Sequence, residues 1–373
     1  MIYLDNAATT LIKPASVQRE MMKAMSLAAS PGRGGHGPAM YAADIVLNCR
    51  EKAARLFNLS EPERVVFTMN ATHALNIAIA SLAGRDSKVL VSGFEHNSVV
   101  RPLHALGAEI MVAEAPLFDD SAVLRAFEEK ISSADLVVCT HVSNVFGYIL
   151  PIYEIAELCR RKNVPLIVDA SQSAGVLDVD CSRLGAAFVA MPGHKALFGP
   201  QGTGMLLCGE SGNPLLSGGS GADSRNLKMP DYLPDRHEAG THNVPGIAGL
   251  MAGIEYVLER GIDNIMRHEQ RLLEFCADRL SNIAGLKLFL GNADKQSGVL
   301  SFLSYDHDSE ELAHMLGEQG ICVRAGLHCA PYAHRTAGTL ECGTVRLSFS
   351  PFVSFDDIEK FTYTLQNLLY TKS

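Results

Sequence analysis

The sequence predicts an α/β fold: a large unit built on a mainly parallel sheet, then a smaller α+β unit. Three observations lead there. Short apolar runs alternate with segments of helical period through the first two-thirds of the chain, the pattern of strands joined by crossover helices. Two of those runs, the one ending at Asp169 and the one from Ala186 to Met191, are continuously apolar, as strands buried on both faces are. Beyond Ile262 a long amphipathic segment gives way to shorter strands and helices. The division expected is a large domain over residues 15–260 and a small domain made of residues 1–14 and 261–373.

Composition narrows the class. A chain of 373 residues, 47% hydrophobic and 20% charged, describes a globular protein able to bury a large core. Its net charge of −9 offers no basic footprint for nucleic acid or an anionic membrane surface, and both are set aside as partners. The opening MIYLDNAATT carries no basic segment followed by an apolar run, and no stretch reads as an uninterrupted membrane span, so a cytoplasmic location is expected. The nine cysteines are scattered and form no CxxC pair, which fits reduced thiols; no metal site is expected.

Taken in order, LDNAATT reads as a short strand entering a loop. Ser30 to Pro38, rich in Gly and Pro, is a loop whose Arg33 and His36 are candidates to line a site. A helix follows from Ala39 to Asn58, then a strand from Arg64 to Thr68, a tight loop to Thr72 and an apolar helix. Strand, polar loop and helix start make an anion cradle at Ala71 and Thr72, although the Thr72 hydroxyl is equally suited to capping the helix. The strand Lys88 to Ser92 ends in FEHNSVV with His96, and the strand Ala134 to Thr140 is followed by HVSNVFG with Asn144. The helix Ile152 to Lys162 leads to the strand ending in Asp169, with Gln172 just beyond. The next apolar run delivers His194 and Lys195 to the same carboxyl edge, where open α/β sheets bind ligands.

An acid and an amine at one such edge suit pyridoxal 5'-phosphate, whose aldehyde forms a Schiff base with a lysine while a carboxylate keeps the ring nitrogen protonated. Lys195 and Asp169 are the candidates. At DASQS, GHK and GPQGTG the chain also resembles fold-type I pyridoxal phosphate enzymes of aminotransferase class V, and within them the cysteine desulfurase and selenocysteine lyase group. That resemblance implies a seven-stranded type of sheet in the large domain. It also implies that His96 stacks on the cofactor ring as a catalytic residue able to pass protons, that Asn144 lies near the cofactor's phenolic oxygen and the substrate, that Gln172 donates to the same oxygen, and that His194 contacts phosphate or substrate. GPQGTG itself reads as a turn into the strand GMLLC rather than a nucleotide loop, and the similarly flexible Gly218 to Gly221 are expected to border the active site.

One position departs from the family pattern. Where a small polar phosphate ligand is usual, two residues before the histidine, this chain has Pro192, which offers neither hydroxyl nor backbone N–H. Thr72, His194 and backbone groups are then expected to hold the phosphate. The segment HEAGTHNVPG resembles the family stretch whose threonine reaches a neighbouring subunit's phosphate, so Thr241 implies a homodimer with shared active sites. The alternative for Thr241 is a place in the first turn of a helix from Pro245 to Arg260.

In the small unit, ICVRAGLHCAP places Cys329 beside His328 with Arg324 nearby, surroundings expected to favour a thiolate. The RxGxHC pattern resembles that of the desulfurases, whose cysteine attacks the sulfur of cofactor-bound cysteine. Arg346, in the strand TVRLSFS, matches the family arginine that grips a substrate carboxylate. The reading is a desulfurase turning L-cysteine into L-alanine, with sulfur passed to Cys329 as a persulfide and on to a sulfur-acceptor protein. L-Selenocysteine lysis, another class V aminotransferase or β-lyase activity, and a non-catalytic cofactor-binding scaffold are the alternatives.

Overall fold

The computed structural model describes residues 1–31, 34–221 and 225–370. Arg33 lies outside them. A two-residue strand, β1 (Ile2–Tyr3), pairs in parallel with Ile321 and Cys322 late in the chain. Helices α1 (Ala15–Leu27) and α2 (Gly37–Leu56) follow. His36 caps α2, its Nδ1 accepting from the Ala39 N–H at 3.4 Å, so this loop histidine serves the helix start.

The large sheet then accumulates strand by strand. Its elements are β2 (Val65–Thr68), α3 (Ala71–Leu82), β3 (Lys88–Ser92), α4 (Asn97–Leu106), β4 (Glu109–Ala113), α5 (Asp120–Lys130) and β5 (Leu136–Thr140). There follow α6 (Ile152–Lys162), β6 (Leu166–Asp169), α7 (Cys181–Leu184), β7 (Phe188–Pro192) and β8 (Gly204–Cys208). Seven strands lie in the order β2-β8-β7-β6-β5-β3-β4. All neighbours are parallel except β8, which runs antiparallel to both β7 and β2. β2, β5, β6, β7 and β8 are buried along their whole length, which is why their sequences are continuously apolar. The edge strand β4 is half-exposed, and its mixed EIMVA sequence hid it from pattern reading.

After the sheet come α8 (Val244–Arg260) and α9 (Ile262–Ser281). α8 packs hard against the turn that follows β7: a Cβ on Gly253 would lie 2.1 Å from the Leu197 carbonyl oxygen, so only glycine fits there. The rest comprises β9 (Leu286–Phe289), β10 (Val299–Ser304), α10 (Ser309–Glu318), β11 (Ile321–Cys322), α11 (Pro331–Ala337), β12 (Val345–Ser348) and α12 (Phe355–Tyr370). An antiparallel sheet in the order β12-β10-β9 is covered by α9, α10 and α12. Leu4, Leu272, Leu300, Phe302, Leu347 and Phe361 share its core, so the N-terminal residues pack with the C-terminal part of the chain.

Candidate active site

The carboxyl ends of β5, β6 and β7 meet the N-terminal ends of α3 and α4 around a cavity of about 220 Å³. Asp169, His194 and Lys195 line it from β6 and the turn after β7. Ala71 and Thr72 enter from the start of α3, His96 from the start of α4, and Asn144 and Gln172 from the loops after β5 and β6. Eight candidates separated by up to 124 residues, from Ala71 to Lys195, thus face one space. No single segment could hold them, and the parallel sheet does so by aligning its strand ends.

Lys195 is fixed by its backbone rather than by its amine. Thr10 Oγ1 donates to the carbonyl oxygens of His194 and Lys195, at 3.1 Å each, and the Thr10 N–H donates to the His194 carbonyl at 3.1 Å. Burial lowers the Lys195 amine to about 8, against a partial upward pull from Asp169. An amine so placed is available in its neutral, nucleophilic form near neutral pH. Asp169 is buried, and one of its oxygens accepts the Ser171 N–H at 2.9 Å. Gln172 donates through Nε2 to the Ala7 carbonyl at 3.0 Å.

His96 caps α4, its Nδ1 accepting the Ser98 N–H at 3.0 Å. Burial depresses its ring to about 4, so the ring is neutral and its proton sits on Nε2. His194 is lowered to about 4 by burial too, and its Nδ1 lies 3.1 Å from Thr9 Oγ1. Thr72 does not cap α3. Asn70 does, accepting the His73 N–H at 2.9 Å, which leaves the Thr72 hydroxyl to meet Ser98 Oγ at 2.8 Å. Sequence reading missed Ser98 altogether; its only signal was its place two residues after His96.

Arg346 and Cys329 stand at the border of this space rather than in its wall. Arg346 is buried, donating through Nη2 to Asp5 Oδ1 at 2.7 Å and through Nη1 to the Asn144 carbonyl at 2.9 Å. Its Nε has no partner. The surface salt bridge that an arginine in a strand commonly makes is therefore not what it forms, and its partner Asp5 went unnoticed in the sequence. Cys329 is exposed on a loop in which His328 and Cys329 both take positive φ, +49° and +57°. The Asn97 N–H donates to the Cys329 carbonyl at 2.7 Å, and Asn144 Nδ2 donates to the His328 carbonyl at 2.8 Å, so the loop is seated directly on the cavity.

Two expectations change. His328 does not lend Cys329 a positive charge: its ring is buried, within 3.1 Å of the Thr344 carbonyl and stacked on His334, and burial holds it neutral, at about 2. Gly218 to Gly221 do not border the Lys195 cavity. Gly219 and Gly221 line a different space together with Thr241, which is exposed and stands apart from the other candidates. The Thr241 segment is anchored from beneath, because Glu238 accepts the Phe67 N–H at 2.6 Å and pairs with Arg50 at 2.5 Å and His242 at 3.2 Å. All nine cysteines are free. Among the described residues no cluster could hold a metal ion, and no helix is long and apolar enough to cross a membrane.

The aminotransferase class-V family model matches residues 2–361. The chain belongs to that family. Within it the kinship is with cysteine desulfurases. A probable cysteine desulfurase of Methanothermobacter thermautotrophicus is 34% identical, with 98% of this chain and 94% of the relative aligned. One from Pyrococcus abyssi is 32% identical over 99% and 94%. The apo structure of the cysteine desulfurase from Thermococcus onnurineus NA1 superposes with a TM-score of 0.91 at 31% identity, covering 98% and 94% of the two chains. This is a fold-type I architecture, and the class-V family is one of pyridoxal phosphate enzymes. The donor set fits that cofactor: a neutralisable amine at Lys195, a buried acid at Asp169, a flat neutral ring at His96, and hydroxyls at the starts of α3 and α4.

Proposed function

We propose that this class-V enzyme is a cysteine desulfurase that converts L-cysteine to L-alanine and leaves the sulfur on Cys329 as a persulfide. The observation that carries the reading is the seating of the Cys329 loop. A sulfur nucleophile is exposed on a segment bonded to Asn97 and Asn144, at the mouth of the cavity that holds Lys195 and Asp169. An aminotransferase or β-eliminating lyase would not require a thiol there, whereas a selenocysteine lyase would use the same residues.

Bound pyridoxal phosphate would supply an electron sink for charge developing at the substrate Cα. Lys195 would anchor it and would carry the Cα proton, a role its lowered basicity suits. Asp169 keeps the ring nitrogen protonated, His96 covers a ring face, and Asn144 and Gln172 orient the phenolic oxygen. Ala71, Thr72 and His194 hold the phosphate. Arg346 offers its unpartnered Nε edge to the substrate carboxylate while Asp5 fixes its orientation. Cys329 takes the substrate sulfur, and its exposure lets a sulfur-acceptor protein reach the persulfide. Thr241, which does not line its own chain's Lys195 cavity, completes a second copy's phosphate site in a cytoplasmic homodimer. The small domain that presents Cys329 comprises residues 1–14 and 261–373.

The deciding experiment incubates purified protein with L-cysteine, a reductant and pyridoxal phosphate, and follows alanine and sulfide together. Equal yields, lost in Cys329→Ala, support the proposal. Pyruvate with ammonia means β-elimination instead, and turnover of L-selenocysteine alone makes the enzyme a selenocysteine lyase. Sharing of sites is tested by mixing Thr241→Ala with Lys195→Ala protein: activity above that of either parent is expected, and none means each subunit works alone.

A further inference from the structure

Ser98 lies in the wall of the Lys195 cavity, together with Thr72, His194 and Pro192. Its hydroxyl is 2.8 Å from Thr72 Oγ1 and 2.9 Å from His96 Nδ1. The single in-plane lone pair of Nδ1 is already engaged by the Ser98 backbone N–H at 3.0 Å. The hydroxyl proton therefore has no need of the ring, and it is left to Thr72 or to another acceptor in the cavity. Thr72 is in the same position, because Asn70 has taken over the capping of its helix. Two hydroxyls from two helix starts thus face each other, and neither is needed to cap its helix. In the same cavity Pro192 has no hydroxyl and no N–H to give an anion.

We propose that Ser98 is a phosphate ligand in this chain, supplying with Thr72 the hydroxyl that Pro192 withholds. The proposal rests on the reading of the cavity as a pyridoxal phosphate site. The two hydroxyls satisfy each other when no anion is present and both turn to donate when one arrives, each giving a charge-assisted hydrogen bond. Ser98 serves His96 through its backbone and the phosphate through its side chain.

That separation makes the test clean. Ser98→Ala removes the hydroxyl and keeps the N–H that caps α4 and holds His96. Cofactor-free wild type, Ser98→Ala, and the double variant Ser98→Ala with Pro192→Ser are titrated with pyridoxal phosphate and with pyridoxal, which lacks the phosphate, following absorbance. The dissociation constant of Ser98→Ala for pyridoxal phosphate is expected to rise about tenfold or more, the worth of a hydrogen bond to a charged group. Its affinity for pyridoxal should be unchanged, and the double variant should regain part of the lost affinity. Equal weakening for both ligands, or wild-type affinity in Ser98→Ala, overturns the role of Ser98 alone. Wild type that takes up neither ligand overturns the cofactor reading and this proposal with it.

Discussion

The turn that carries Lys195 and the loop that carries Cys329 meet around one cavity and are built in opposite ways. The lysine turn follows a fully buried strand, is held by Thr10, and has Gly253 of α8 pressed against its far side. The cysteine loop exposes Cys329, takes left-handed backbone at two consecutive non-glycine residues, and meets Asn97 and Asn144 through the backbone carbonyls of Cys329 and His328. Positive φ at such residues costs on the order of 1–2 kcal/mol each. The hydrogen bonds from Asn97 and Asn144 offset that cost while leaving the Cys329 side chain ungripped. In the proposed reaction the amine must meet one atom repeatedly and is best fixed, whereas the thiol would take sulfur inward and give it outward and so needs freedom at its tip.

The largest effect expected from this contrast is at the fixed end. Lys195→Ala should lose turnover by at least about a hundredfold, the lower range for a missing acid–base group, and should also lose the visible absorbance of lysine-bound cofactor. At the free end, Cys329→Ala should keep cofactor uptake and that absorbance while alanine and persulfide formation fall to background. A Cys329→Ala protein that desulfurates at the wild-type rate would remove the loop from the chemistry and with it the comparison.

The smallest effect concerns how the fixed side is insulated. Glu95, immediately before His96, is fully buried and accepts from Ser92 Oγ at 2.5 Å and from the Thr140 N–H at 2.8 Å, while its other oxygen has no partner. Burial raises its carboxyl from 4.5 to about 8. Between those values the folded protein holds a proton that the unfolded chain releases, so this contribution to stability is complete below about pH 4.5 and is lost as pH rises through about 8. The loss is up to roughly 1.4 kcal/mol per pH unit. Glu95→Gln cannot titrate. Denaturant unfolding at pH 5 and pH 8 should therefore show a smaller drop for the variant than for wild type, and equal drops would mean Glu95 is already ionised in the fold.

What could be read in advance follows from how each residue is carried. Asp169 and Lys195 were legible because each ends an apolar run, and a buried strand announces both its length and the edge at which it stops. His96, Asn144 and Gln172 were assigned through family motifs, and the sheet then brought them to the same cavity. Asp5, Ser98 and Glu95 were not seen, because a carboxylate near the N-terminus or a serine in a helix start has no periodicity to betray it. The orientation of the His328 ring was read wrongly for a similar reason: adjacency to Cys329 in sequence says nothing about which way a ring faces. His36 and Thr72 were ambiguous between capping and binding until the bonds made by His36 and Asn70 were in view.

By itself the sequence determined the α/β class, the strand ends that deliver the amine and the acid, and the thiol loop, since apolar run length and turn chemistry are local properties. Only the tertiary structure decided that Arg346 is held by Asp5, 341 residues away in sequence, that Ser98 faces Thr72, and that Thr241 lines a different cavity from Lys195. Those facts depend on which surfaces pack together, and close packing is settled by the whole chain at once rather than by any segment of it.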